Sequence, residues 1–177
     1  MNKTIITLAV ASVCLFSCKK DPLDLKPISE IGSNGFYSNS QEVEQATIAI
    51  YDGLQAVPMR EFALTEMRSD NTRSKSKEGD WAQFESYTVV PTNQAITNYW
   101  SINYNVVFRA NRVLESLGVV PTGTLKNQLE GEAKFTRALA HYNLVNGYGD
   151  VPILDKTINF GEQEYFVRKP VDEVLAF

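Results

Sequence analysis

The sequence predicts an all-α fold, and three observations carry the prediction. Apolar residues recur at steps of three and four in three separate stretches. The two longest stretches are parted only by Gly118 and Pro121, a break short enough to make them an antiparallel helical hairpin. Capping and helix-breaking residues stand where the stretches begin and end.

Residues 5–16 are apolar, but the run falls short of the roughly 20 residues that span a hydrocarbon core. Lys3 is the only basic residue before it. Leu15-Phe16-Ser17-Cys18 closes the run in the form of a bacterial lipoprotein signal, whose cysteine becomes the lipidated first residue of the mature protein. Cys14 is the rival position, but bulky Val13 precedes it where a small residue is wanted, and Ser17 suits Cys18 better. Residues 1–17 are therefore read as a signal peptide and Cys18 as the lipidation site. One acyl chain binds a membrane marginally, whereas two or more hold it. Residues 18–35, with Pro22, Pro27, Gly32 and Gly35 among charged residues, read as a tether.

The helical domain is expected from residue 36 to 177. Ser38 followed by Gln41 has capping-box form. Val43, Ala46, Ile50, Leu54 and Val57 then share one helical face, and Pro58 is expected to end that helix. A shorter helical piece is predicted over 61–68. Residues 69–80 hold no apolar side chain and read as a solvated loop, with Trp81, Phe84 and Tyr87 directly after it. Residues 88–96, with Pro91, are expected to be irregular.

Trp100, Tyr104, Val107, Asn111, Leu114 and Leu117 form one stripe, predicting a helix over 97–117. Thr124 is the expected cap of the next helix, over 124–146, whose stripe is Leu125, Leu129, Phe135, Leu139 and Tyr142. Gly131, Ala133, Ala138 and Ala140 would let a neighbour approach it closely. Gly147 and Gly149 supply C-cap positions before Pro152. Ile153-Leu154 reads as a short extended piece, and Pro170 as the first residue of a last helix. The domain is expected to be incomplete at Phe177, with Val174, Leu175 and Phe177 lacking a partner and stability correspondingly poor.

Charge and cysteine content exclude several classes of function. The formal net charge is −4, one unit more negative once Lys3 is removed, and no basic block exists to bind nucleic acid. Of two cysteines one falls in the leader and the other carries lipid, so neither a disulfide framework nor a thiolate metal site is expected. His141 is the only histidine and cannot make a zinc site or a catalytic triad by itself; packing is the expected role. Glu130 and Glu132, like Glu162 and Glu164, lie two residues apart and point different ways, unlike a glycosidase pair across a cleft. No nucleophile elbow, phosphate loop or His-Glu-x-x-His occurs. No enzyme activity, cofactor or metal is expected.

The segment Gly131-Glu-Ala-Lys-Phe-Thr-Arg-Ala-Leu-Ala-His-Tyr-Asn-Leu-Val-Asn-Gly-Tyr-Gly-Asp-Val-Pro152 resembles the signature of the SusD/RagB family of nutrient-binding bacterial lipoproteins. Trp100, Tyr104 and Arg109-Ala110-Asn111 resemble the family's preceding helix, Glu66-Met-Arg-Ser-Asp70 the segment leading to its ligand-facing loop, and Arg168 to Val174 its next helix start. Thr136 departs from the bulky apolar residue usual there, and the chain matches only about the first third of the family's length. The resemblance implies a tetratricopeptide-like stack of helix pairs, truncated here. It implies a lipid-anchored, outer-membrane, cell-surface protein that captures an oligosaccharide or a peptide and hands it to a TonB-dependent, SusC-like barrel. Lys19-Lys20-Asp21 matches the family's surface-export signal in part and leaves the leaflet open. A scaffold lipoprotein binding only protein partners is the alternative reading, and a surface glycan hydrolase the third.

Sugar recognition needs an aromatic face flanked by planar polar groups. Trp81 beside Asp70, Asn71, Arg73 and Asp80 offers both, so these five are the candidate ligand residues. Asn111 interrupts an apolar stripe and is expected to be buried, tying its helix to the backbone of the next. Glu132 and Arg137 are expected to face a neighbouring helix or loop as paired polar groups.

Overall fold

Pro58 begins a helix instead of ending one. It lies in the first turn of a helix, where its missing N–H would have had no helical partner. Helix α1, Ser40–Gln55, and helix α2, Val57–Thr65, therefore follow each other almost without a break. A single 3-10 turn, Glu66–Arg68, ends α2. These coordinates are a computed structural model that describes residues 36–177. The signal peptide at 1–17, Cys18 and the tether at 18–35 lie outside the described residues.

The start of α1 is displaced by one residue from the expected Ser38/Gln41 box. Asn39 is the N-cap, and its side chain accepts the Glu42 N–H at 3.0 Å. The Glu42 carboxylate reaches back to the Ser38 N–H at 2.7 Å and to the Ser38 hydroxyl at 3.0 Å. A carboxylate outcompetes the Gln41 amide here because it is the stronger acceptor and its charge suits a helix N-terminus. The Ser38 N–H in turn holds the Glu42 carboxyl below its ordinary range.

Helix α3 is short, Asp80–Glu85, and follows the loop that spans 69–79. Helix α4, Gln94–Ser116, begins three residues before the expected Thr97, because the Asn93 side chain caps it by accepting the Ala95 N–H at 2.9 Å. A 3-10 turn at Leu117–Val119 leads to helix α5, Thr124–Tyr148. Gly123 occupies the N-cap of α5, so Thr124 is helical and does not cap. At the other end Gly149 alone takes the left-handed position, with φ 72 and its N–H on the Val145 carbonyl at 2.9 Å. Gly147 stays inside α5 and serves packing: a Cβ there would sit 3.3 Å from the Tyr99 ring. The Ile153-Leu154 region carries no strand; the backbone pairs only at Val151, with Lys169. Pro170 then caps helix α6, Val171–Ala176, one position earlier than expected.

Helix α4 is the axis of the unit Tyr37–Phe177 and packs on α1, α2 and α5. It is buried on two faces, one through Tyr99, Asn103, Val106, Ala110 and Val113, the other through Val107 and Asn111. Helix α5 meets it with Leu129, Ala133, Thr136, Ala140, His141, Leu144 and Val145. That corrects the expected α5 stripe. Leu125, Phe135 and Tyr142 are exposed, the last two at 68% and 55%. Small side chains let two long helices approach closely, so the bulky apolar face of α5 is the one turned outward. Ala133 and Ala140 serve that approach; Gly131 and Ala138 face solvent.

Two apolar clusters frame the fold. Leu64, Met67, Phe84 and Tyr99 lock α2, α3 and α4 together. Leu144, Val145, Val151 and Val174 hold α6 to the end of α5. Val174 therefore has the partner it was expected to lack, and the Phe177 ring stands edge-on to His141 at 5.3 Å. Leu175 and Phe177 remain exposed, at 55% and 47%.

Candidate functional site

Phe84 and Ala82 are the buried side of α3, and their burial places Trp81 at the rim. Trp81 is 52% exposed, and its ring lies 5.7 Å from that of Phe62 on α2, itself 38% exposed, with the planes tilted by 56°. The two rings form an open aromatic angle on the surface. Asp80 is spent on structure: its carboxylate accepts the Gln94 N–H at 3.1 Å and its carbonyl accepts the Asn93 amide at 3.0 Å. Gly79, at φ 95, gives the chain the left-handed turn that leads into α3.

Asp70, Asn71 and Arg73 project from the loop before α3 and are exposed. Among the described residues their side chains make no hydrogen bond or ion pair, so their polar groups stay open to a ligand. The aromatic neighbour of Trp81 is Phe62, which sequence reasoning passed over. Its position beside the buried Ala63 and Leu64 is the signal that places it at a rim. The loop is tied down at its ends. The Tyr87 hydroxyl donates to the Arg68 carbonyl at 2.6 Å, and the Ser74 N–H donates to the Glu85 carboxylate at 2.7 Å.

A second polar group of residues lies across the molecule's long helices. The Asn111 amide, 1% exposed, donates to the Leu154 and Lys156 carbonyls, each at 2.9 Å. Its oxygen accepts from Arg137 at 2.8 Å, and Arg137 also donates to the Asp155 carbonyl at 2.9 Å. Asn111 thus ties α4 to the extended segment after α5 and not to a following helix, as expected. The returning chain after α5 crosses α4 at Asn111, so its carbonyls meet the amide there. The Arg137 guanidinium also covers the Phe177 ring at 4.9 Å.

Glu132 and Arg137 each find a neighbour, but not each other. They stand five residues apart on α5 and so face different sides. Glu132 accepts from the Tyr51 hydroxyl at 3.1 Å and from Gln128 at 2.8 Å, which fastens α1 to α5. His141, 1% exposed, is buried between α5 and the crossing segment. Its Nδ1 donates to the Arg137 carbonyl at 3.0 Å, and its Nε2 accepts the Leu154 N–H at 3.4 Å. That pairing requires the neutral ring. Burial, reinforced by the Arg137 charge, pushes its pKa below the ordinary 6.5. Tyr104 completes the set by donating to the Pro152 carbonyl at 2.8 Å, and burial raises its hydroxyl above the ordinary range.

Carboxylates elsewhere are engaged in ion pairs: Glu130 with Lys134, and Glu162 with Lys156 at 3.0 Å. Among the described residues no three His, Cys, Asp or Glu side chains are grouped to hold a metal ion. No helix there is long and apolar enough to cross a membrane. The arrangement offers ring faces and free planar polar groups, which suits reversible binding by stacking and hydrogen bonding.

Comparison with known proteins follows the same lines. Residues 21–176 match a SusD-like family described as starch-binding and associating with the outer membrane. The SusD-like protein P38 of Formosa agariphila is 27% identical over 177 residues, covering 98% of this chain and 35% of that protein. A SusD-like protein of Bacteroides ovatus is 21% identical over 88% of this chain and 29% of its own length. Among solved structures, a SusD-like protein of Bacteroides fragilis superposes with a TM-score of 0.69 at 26% identity, over 85% of this chain and 29% of that one. A SusD-like carbohydrate-binding protein of the same species shares the fold, with a TM-score of 0.63 at 19% identity over 80% of this chain and 30% of its own. The chain thus spans about a third of the length of the curated relatives it matches.

Proposed function

The chain belongs to the SusD-like family, and from that membership we propose that it captures an oligosaccharide at the cell surface and delivers it to a TonB-dependent outer-membrane barrel. One observation supports the reading for this chain's own residues: the exposed Trp81, paired with Phe62 of α2, lies on the helix that directly follows a loop of polar side chains unengaged among the described residues. A sugar ring has one apolar face, which stacks on an indole, and a rim of hydroxyls, which pair with planar amide, carboxylate and guanidinium groups. Capture in this scheme is non-covalent. Cys18 carries the lipid that keeps the protein at the outer membrane, and movement of the helical body over its barrel passes the ligand inward.

Retention of the chain in native gels cast with amylopectin, xylan or laminarin tests the capture step. The expected result is slowed migration in at least one of the three with no sugar released. Migration unchanged in every gel, or released reducing sugar, contradicts the reading. Acyl labelling of the protein in its host, abolished by Cys18→Ser, tests the anchor.

A further inference from the structure

The candidate ligand residues Asp70, Asn71 and Arg73 lie between two points at which the chain is gripped. On the near side is the Arg68 carbonyl, which accepts the Tyr87 hydroxyl at 2.6 Å. On the far side is the Ser74 N–H, which donates to the Glu85 carboxylate at 2.7 Å. Both grips come from one short stretch, the last residue of α3 and the turn after it. They bridge 19 and 11 residues of sequence, so neither is a local turn contact. Within the bracket the further ties among the described residues are local: the Ser69 hydroxyl accepts the Asn71 N–H at 3.2 Å and donates to the Glu66 carbonyl at 2.8 Å, and the Ser69 N–H bonds the same carbonyl at 3.0 Å.

Tyr87 gives the first grip a fixed base. It stands at φ 57, the left-handed position just past the end of α3, and the residue is 75% exposed. The Tyr87 N–H bonds the Phe84 carbonyl and the Thr88 N–H bonds the Gln83 carbonyl at 2.9 Å, the paired bonds that close a helix C-terminus, and Phe84 is buried in the core. A hydroxyl carried on that fixed helix end holds the start of a loop of exposed polar side chains, which lowers the ordering cost of binding there.

We propose that Glu85 and Tyr87 are positioning residues: a two-point clasp that limits the arrangements open to Asp70, Asn71 and Arg73 and thereby determines ligand affinity. The effect on affinity rests on the glycan-binding reading above, whereas the effect on the loop does not. Neither residue need touch the ligand. Releasing either grip leaves the rings in place and lets Asp70, Asn71 and Arg73 range over many arrangements.

Trypsin reads the clasp directly, because Arg73 lies inside the bracket and Lys77 lies outside it on the same loop. In Tyr87→Phe, which loses only the hydroxyl, cleavage after Arg73 is expected to rise about fivefold relative to cleavage after Lys77. Glu85→Ala should do the same, and Glu85→Gln, which keeps an acceptor, should restore most of the protection. Amylopectin, xylan and laminarin affinities measured on the same proteins should fall about fivefold in Tyr87→Phe and Glu85→Ala for whichever polysaccharide the wild type retains. An unchanged Arg73-to-Lys77 cleavage ratio in both variants overturns the clasp. Faster cleavage with undiminished affinity overturns the positioning role. A wild type that retains none of the three polysaccharides counts against the glycan reading, and the cleavage ratio still decides the clasp.

Discussion

The edge formed by the 69–79 loop and α3 and the interior where α4, α5 and the 151–156 segment meet are both polar, yet they are built in opposite ways. In the interior the polar groups named above bond one another. Asn111, Arg137, His141 and Tyr104 between them satisfy backbone groups from Pro152 to Lys156. At the edge the backbone is fixed at a few points, while the side chains of Asp70, Asn71 and Arg73 remain unengaged. A buried polar network that is fully satisfied specifies one arrangement of helices. Exposed polar groups on a clasped loop are free to bond something else. The family signature falls on the interior, and the chemistry proposed for the ligand falls on the edge.

The comparison breaks first at Asn111. Asn111→Ala removes the donor to two buried carbonyls and the acceptor for Arg137, and should lower unfolding free energy by about 3 kcal/mol in urea titrations. A loss under about 1 kcal/mol would mean that the interior network does not hold the fold. Trp81→Ala should behave in the opposite sense. It should weaken polysaccharide binding about tenfold, equivalent to about 1.4 kcal/mol, and barely move the thermal midpoint.

Between about pH 6.5 and 5, acid should act on the interior. The folded protein keeps His141 neutral below the pH at which the unfolded chain takes up a proton, so the folded pKa is the lower of the two. Stability is then full above about 6.5 and is lost as pH falls from there toward the folded pKa. The charge that acts on the ring is that of Arg137 on its own helix, which Asp155 on the crossing segment partly offsets. Protonation would add a cation beside Arg137 and turn Nε2 from acceptor to donor, facing the Leu154 N–H. His141→Gln should flatten the fall in thermal midpoint between about pH 6.5 and 5, where no other side chain of ordinary pKa titrates. Retention of the slope in that variant would place its origin elsewhere. The smallest effect belongs to Asp70→Ala, which should change stability by no more than about 0.5 kcal/mol, since its side chain bonds nothing among the described residues.

The all-α architecture was legible because α4 and α5 are long and their spacing is regular. Orientation was harder to read. Phe135 and Tyr142 looked like the core face of α5, but the core face is Ala133, Thr136 and Ala140, because close helix packing selects small side chains and periodicity alone does not say which stripe turns inward. Pro58 was read as a stop when its position equally suits a first turn, and Asn39 lost to Ser38 because both are good caps and only Glu42 decides between them. At the edge, the polar run 69–80 marks the loop, and Trp81 after it stands exposed at the rim. Phe62 and Tyr87 stayed hidden, since one depends on how α2 meets α3 and the other on a left-handed turn that no residue type there advertises. Asn111 was readable as buried, though not its partners, because the segment that meets it arrives 43 residues later.

The most direct test of this division is the affinity of wild type and Trp81→Ala for amylopectin, xylan and laminarin, measured at matched folded fraction. The account predicts that a polysaccharide retained by the wild type is held about tenfold more weakly by Trp81→Ala. Equal affinity of the two proteins for that polysaccharide would contradict it.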